Sequence, residues 1–239
     1  MDEVRILGDV IRGSGRAVFF GGAGVSTESG IPDFRGAEGL FMEKRRIPAE
    51  EVVSIDFFEA YPQDFYDFYR QKLVHAKARP NKAHFKLAEF ERAGLLAAVI
   101  TQNIDGLHQE AGSVNVIEMH GSMRKNYCIV CGGDFDMGVV VEGTGLPMCP
   151  CGGLIRPSVT LYGEQLDHDA IMSAVSYISK ADTLIVAGTS LSVFPVAGLI
   201  GYFRGQHLVV INKTATPLDD DASLIIRAPV GETLDKIKV

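Results

Sequence analysis

The sequence predicts an α/β fold in which a parallel sheet carries helices on both faces, with a helical insertion and a small cysteine-bearing lobe attached. Three observations carry that expectation. Apolar runs of strand length at 17–20, 95–100, 183–187 and 208–211 alternate with stretches of helical periodicity, the rhythm of strand and crossover helix. The runs do not alternate polar with apolar residues, which fits strands covered on both faces. Polar segments follow them directly, at the ends where such sheets bind ligands.

Val4, Leu7, Val10 and Ile11 recur at helical spacing, so residues 3–12 are expected to form an amphipathic helix that Gly13 and Gly15 stop. A strand over 17–20 leads into Gly22-Ala23-Gly24. From about residue 37 to 80 the chain is polar and aromatic, with Phe57, Phe58, Tyr61, Phe65, Tyr66, Phe68 and Tyr69 on helical patterns, an insertion of helices with no strand. Asn81 caps a helix over 82–93 that Gly94 ends, and buried strands follow at 95–100 and 114–119. Residues 121–154 are rich in glycine, hold all four cysteines and lack periodicity, so they read as a separate small lobe. The α/β rhythm resumes at Ile155, with helices near 167–180 and 195–204 and strands at 183–187, 208–211 and 224–226. The expected division is a main domain of 1–36, 81–120 and 155–239, a helical insertion of 37–80 and a lobe of 121–154.

A length of 239 residues suits one main core, since single cores stop growing at about 250 residues. With 46% hydrophobic and 22% charged residues, the chain resembles an ordinary folded protein and excludes disorder. The net charge of −7 argues against wrapping nucleic acid and fits a basic, lysine-bearing partner. An acidic start without a long apolar run predicts a cytosolic protein with no membrane association. In that compartment cysteines bind metal or do chemistry more often than they form disulfides.

Gly22, Ala23 and Gly24 would let the backbone approach a pyrophosphate, whose charge amide hydrogens at a helix start would meet; a tight turn is the other reading. Thr27 stands where a dinucleotide fingerprint has its third small residue, and no strand-end carboxylate follows about 20 residues on, which disfavours a plain dehydrogenase. Pro32 resists helix continuation and holds Asp33, Phe34 and Arg35 in a loop over this site, where an arginine can grip phosphate and an aromatic ring can exclude water. Gln102, Asn103, Ile104 and Asp105 follow the second strand, and such polar groups are costly to bury without a ligand or a dense network. Asn103 and Asp105 suit a carboxamide and ribose hydroxyls, with helix capping as the structural alternative for Asp105.

His120 ends the third strand and is the candidate general base, with Gly121 allowing a substrate close approach. The other five histidines read as packing or capping residues. Gly188, Thr189 and Ser190, then Asn212 and Lys213, follow the last two main strands and suit the adenosine half of a dinucleotide. The extended segments 159–164 and 192–195 can each lend an edge to a bound peptide.

Cys128-x2-Cys131, seventeen residues, then Cys149-x-Cys151 is close to a four-thiolate zinc pattern with glycines supplying the turns. The second pair is one residue short of the usual spacing, so its turn must be tighter. Four protein ligands leave no place for water, so one zinc here would be structural.

Together these motifs resemble the sirtuins of bacterial or archaeal type, the NAD-dependent protein deacylases. GAGVSTESGIPDFRG, TQNIDGLHQEAG, the HG at 120–121, the four-cysteine module, RPSVTLYGE, GTSLSVFP and VVINKTATPLDDDA stand in that family's order over nearly the whole chain. The departures are Gly21 where Thr is common, Tyr162 where Phe is common, and the shortened cysteine pair; none removes a reacting group.

The resemblance implies a Rossmann-like domain with a zinc lobe, and NAD and an acetyl-lysine peptide meeting in the cleft. The acetyl oxygen would attack the ribose carbon bearing nicotinamide, and His120 would then deprotonate a ribose hydroxyl, giving free lysine, nicotinamide and O-acetyl-ADP-ribose. Ala23, Thr27, Phe34, Arg35, Gln102, Thr189, Ser190, Asn212 and Val230 would bind NAD. Asn103, Ile104 and Asp105 would form the nicotinamide pocket, with Asn103 also ordering the ribose. Val159, Leu161, Tyr162, Gly163, Glu164, Val193 and Phe194 would hold the peptide. Members that prefer succinyl or malonyl groups resemble one another in a Tyr-x-x-Arg pair; here that stretch reads Tyr66-Asp67-Phe68-Tyr69, so neutral acyl groups are expected. ADP-ribosyl transfer and a catalytically silent NAD-sensing module are the alternatives, the latter disfavoured because Asn103, Asp105 and His120 are all present.

Overall fold

The computed structural model describes residues 3–36 and 39–239; positions 37 and 38, the expected start of the helical insertion, lie outside the described residues. In chain order the strands are β1 (Ala17–Gly21), β2 (Leu96–Thr101), β3 (Val116–Glu118), β4 (Gly121–Cys128), β5 (Asp134–Asp136), β6 (Ile155–Val159), β7 (Thr183–Ala187), β8 (His207–Ile211) and β9 (Leu224–Ile226). Six of them form a parallel sheet in the order β3-β2-β1-β7-β8-β9. The chain winds outward from β1 one way and from β7 the other, so β1 and β7 flank the switch point at which doubly wound sheets open a crevice.

Side chains along β1 alternate between the two faces. Ala17 and Phe19 join Leu7, Ile11, Leu87, Phe90, Val99 and Val209 under the helices Glu3–Gly13, Lys82–Arg92 and Val230–Leu234. Val18 and Phe20 join Ile100, Ala174, Ile178, Leu184, Val186 and Leu199 under the helix His168–Lys180 and the 3-10 helix Val196–Tyr202. An α-helix was expected in that last stretch; Gly198 and Gly201 lower its helix propensity, and it winds tighter. Asn81 caps its helix as expected, its side chain accepting from Ala83 N, while His84 Nδ1 accepts from Asn81 N at 3.1 Å. The His84 and His108 rings pack in the core with centroids 4.7 Å apart and planes tilted by 59°, and burial pushes both pKa values below the ordinary range.

The second sheet is antiparallel, in the order β5-β4-β6. Its last strand, Ile155–Val159, was expected to open the return to the main domain; instead it pairs with β4 from Cys128↔Ile155 to Gly121↔Val159. Proline and arginine in Ile-Arg-Pro-Ser-Val disguise it as a connector, yet as an edge strand it tolerates Pro157. The aromatic insertion and the cysteine lobe also share one core: Phe57, Phe58, Phe65, Tyr66, Phe68 and Tyr69 pack with Met123, Cys128, Val140, Ile155 and Leu161. Tyr66 donates its hydroxyl hydrogen to the Ile155 carbonyl. No helix among the described residues is long and apolar enough to cross a membrane.

Three glycines hold the tips of β1 and β7 together. Gly24 N donates to Gly188 O at 2.8 Å and Gly22 N to Ala187 O at 3.1 Å. Gly188 has φ +59°, and a Cβ there would lie 2.5 Å from Val25 N, while one on Gly24 would lie 2.7 Å from Gly188 Cα. Both obstacles are backbone and cannot rotate away. Gly188→Ala is therefore expected to cost about 1–3 kcal/mol in urea unfolding and to spread the loop from the sheet; an unchanged midpoint would remove the clamp.

Candidate active site

A cleft of about 970 Å³ opens where the strands of the large sheet end. Every residue singled out above for nucleotide or peptide lines it, from Gly22, Ala23, Gly24 and Thr27 through Asn103 and His120 to Val159, Phe194 and Val230. The cysteines do not line it.

His120 sits between β3 and β4, with Nδ1 2.9 Å from the carbonyl oxygen of Gln102 at the tip of β2. A carbonyl can only accept, so Nδ1 carries the ring proton and Nε2 keeps its lone pair. Burial pulls the His120 pKa below its ordinary value, against the opposing pull of the Gln102 carbonyl. The ring is thus a neutral base at pH 7. Gly121, expected to admit substrate, admits backbone instead: at φ +72° a Cβ would lie 2.0 Å from Ser158 O, because β6 runs against it.

Ser26 joins the polar residues at the ends of β1 and β2. Its hydroxyl donates to Asp105 Oδ2 at 2.7 Å and accepts from Asn103 Nδ2 at 3.1 Å. A carboxylate accepts only, so the serine proton goes to Asp105, and the amide of Asn103 must turn its Nδ2 toward Ser26. Asp105 Oδ1 also accepts from Leu107 N at 2.9 Å, so it closes the turn that leads into the short helix Leu107–Glu110, whose N-cap is Gly106, while serving this network. Gln102 Nε2 donates to Thr189 Oγ1 at 3.0 Å, tying β2 to β7. Ser26 was not singled out from sequence: Ser26, Thr27 and Ser29 offer three hydroxyls in four positions, and nothing local ranks them.

Several of these cleft residues also have hydrogen-bond partners within the fold. The glycine loop opens into two 3-10 turns, Ala23–Val25 and Thr27–Ser29, and the amides of Gly22 and Gly24 donate to the carbonyls of Ala187 and Gly188 at the end of β7, so these two amides bind the loop to the sheet. Thr27 Oγ1 donates to Gly24 O, and Asp33 Oδ1 accepts from Gly36 N at 2.8 Å, closing a turn. Arg35 Nη2 donates to Glu50 Oε1 at 2.6 Å and to the Tyr162 hydroxyl at 3.2 Å. Glu164 forms a two-pronged pair with buried Arg156 at 2.8 and 2.9 Å and accepts from Leu161 N; its carboxylate braces the 159–164 segment from within. Val230 lines the cleft with its side chain buried in the core. Asn212 Nδ2 donates to Thr214 O at 3.0 Å, and Lys213 and Ser190 are exposed.

The sulfur atoms of Cys128 and Cys151 lie 3.5 Å apart, those of Cys131 and Cys149 3.7 Å, and all four within 4.8 Å of one another. A tetrahedron of zinc–sulfur bonds of 2.3 Å has edges of about 3.8 Å, so the donor set fits one structural zinc. Gly132 N donates to Cys128 O and Gly152 N to Cys149 O, each at 2.9 Å, with φ of +70° and +86°. The first bond links residues four apart and the second residues three apart, so the shortened second pair makes the tighter turn that its spacing requires.

Two measurements probe this geometry. The pH–rate profile should rise with pH on an acid limb below about 6.5, the ordinary histidine value, since protonation fills the Nε2 lone pair; a limb centred above 7 would contradict the lowered His120 pKa. Chelating the zinc should raise amide exchange in the 121–159 region and in the aromatic insertion, whose core includes Cys128 and Cys149; unchanged exchange would separate the metal from that core.

The Sir2 family model matches residues 22–195. The chain is 52% identical to the NAD-dependent protein deacetylase of Clostridium perfringens over 240 residues, covering 99% of this chain and 98% of that one. It is 45% identical to the NAD-dependent protein deacetylase of Saccharolobus solfataricus over 232 residues, covering 94% and 91%. Among solved structures it superposes with TM-score 0.90, at 40% identity, on a Sir2 variant with deacetylated p53 peptide and 3'-O-acetyl ADP-ribose, covering 97% of this chain and 95% of that one. It superposes with TM-score 0.87, at 39% identity, on Sir2 with p53 peptide and NAD+, covering 99% and 97%. In sequence and in fold, this chain belongs to the Sir2 family.

Proposed function

We propose that the chain is an NAD-dependent protein-lysine deacetylase that transfers the acetyl group to ADP-ribose and releases nicotinamide. The observation that carries this reading is the placement of His120, with its Nε2 lone pair unspent, in one cleft with the Ser26–Asn103–Asp105 network. The names of the relatives and the ligands of the Sir2 structures support it.

Asn103, with Nδ2 committed to Ser26, has Oδ1 left to accept from a ribose hydroxyl or an ordered water. Asp105 and Ile104 form the carboxamide pocket, and Gln102, Thr189, Ser190, Asn212 and Lys213 take the rest of the dinucleotide. Phe34 and Arg35 close over it. An amide oxygen is a poor nucleophile, so the chain's contribution is alignment and exclusion of water, with alignment worth up to about 7–11 kcal/mol. His120 then takes the proton of a ribose hydroxyl at Nε2. Residues 159–164 and 193–194 lend backbone edges to the acetyl-lysine peptide.

Neutral acyl groups are preferred in this reading. Tyr66 and Tyr69 are fully buried and do not line the cleft. Arg70 is spent on the carbonyls of Val140 and Gly145 at 2.7 and 2.6 Å, and Lys72, which does line the cleft, pairs with Glu43 at 2.7 Å. With Arg35 assigned to the diphosphate, an acyl carboxylate near the Tyr66–Tyr69 stretch would lose its water with no guanidinium left to meet it.

Incubation with NAD and paired acetyl and succinyl versions of one peptide, followed by mass analysis of the products, tests this. Deacetylated peptide, nicotinamide and O-acetyl-ADP-ribose are expected, with slow succinyl turnover and a loss of about 10²–10⁴ in rate for His120→Ala. ADP-ribosylated protein as the main product, or equal turnover of both peptides, would overturn the corresponding part.

A further inference from the structure

We propose that Tyr162 and Glu50 are positioning residues for Arg35, holding its guanidinium by one nitrogen so that its other N–H groups are presented to a diphosphate. This rests on the reading of Arg35 as a ligand of the dinucleotide. Arg35 Nη2 carries two hydrogens, and two acceptors meet them: Glu50 Oε1 at 2.6 Å and the Tyr162 hydroxyl at 3.2 Å. The guanidinium also lies over the Phe41 ring, 5.1 Å from its centroid. No further polar partner of Arg35 occurs among the described residues. Among the described residues Nε–H and both Nη1 hydrogens are therefore without a polar partner, three donors on a group that is always charged.

Both anchors stand on rigid footing, while Arg35 belongs to a loop. Glu50 lies on the short helix Ala49–Val52. Tyr162 is stitched to the same insertion by its backbone, Tyr162 N donating to Val53 O at 3.0 Å and Ile55 N to Tyr162 O at 2.9 Å. A phenylalanine at 162 would keep the ring against Phe41 but lose the acceptor. The Arg35–Glu50 pair is partly exposed, with side-chain accessibilities of 31% and 51%, so it adds little to folding stability; its use is to fix a long, flexible cation before ligand arrives. Tyr162 thereby joins the peptide-side segment to the diphosphate side of the cleft.

Calorimetric titration with ADP-ribose, and with adenosine as the probe lacking phosphate, tests the proposal on the zinc-loaded protein. Arg35→Ala should weaken ADP-ribose roughly tenfold or more, and Tyr162→Phe and Glu50→Gln roughly three- to tenfold each, with adenosine unaffected. Adding Tyr162→Phe to Arg35→Ala should weaken ADP-ribose no further, since the hydroxyl acts through the guanidinium. An Arg35→Ala protein that binds ADP-ribose like the parent removes the phosphate reading itself. A Tyr162→Phe protein that binds like the parent while Arg35→Ala is impaired, or full additivity in the double variant, overturns the positioning role and leaves the phosphate reading intact.

Discussion

The hydrogen bond from His120 Nδ1 to the carbonyl of Gln102, 2.9 Å long, is the constraint on which the chemistry of this cleft depends. It fixes the ring's tautomer and its direction, and it joins the connection between the two sheets to the tip of β2. The next two residues after that carbonyl, Asn103 and Ile104, line the same cleft, so one peptide unit sets the base and begins the pocket beside it. A histidine free to rotate would share its proton between two nitrogens, and only one arrangement leaves a lone pair toward the substrate.

That bond has value only if the strand tips hold their spacing. Gly24 against Gly188 clamps β1 to β7, Gln102 to Thr189 ties β2 to β7, and Ser26 bridges the β1 loop to the segment after β2. The opposite side of the cleft is held by different means, the aromatic core shared between the insertion and the cysteine lobe. The four cysteines lie outside the cleft, yet Cys128 and Cys149 belong to that core, so a zinc held there would support this side of the cleft through packing.

Much of this was legible in the sequence because it depends on local signals. Unbroken apolar runs marked the central strands of the large sheet, since burial on both faces leaves no alternation to obscure them, and Asn103 and Asp105 were legible because they stand just past such a run, while His120 was legible at the end of the mixed strand Val116–Glu118. Cysteine spacing marked the metal site even with one pair shortened. What was not legible depends on tertiary partners. Ile155–Val159 carries an arginine and a proline, so its membership in the small sheet emerges only from pairing with β4. Ser26 is one hydroxyl among several until Asp105 and Asn103 converge on it. Glu164 reads as one more residue of an extended peptide-binding segment until its pairing with Arg156 is found, and Gly121 as room for substrate until Ser158 is found against it.

The ring proton of His120 offers the most direct measurement of the central claim. Nitrogen-15 spectra of histidine-labelled protein at pH 7 should give His120 a protonated Nδ1 and an unprotonated Nε2. A ring protonated at Nε2, or at both nitrogens, would contradict the account, because no lone pair would then face the cleft to accept a proton.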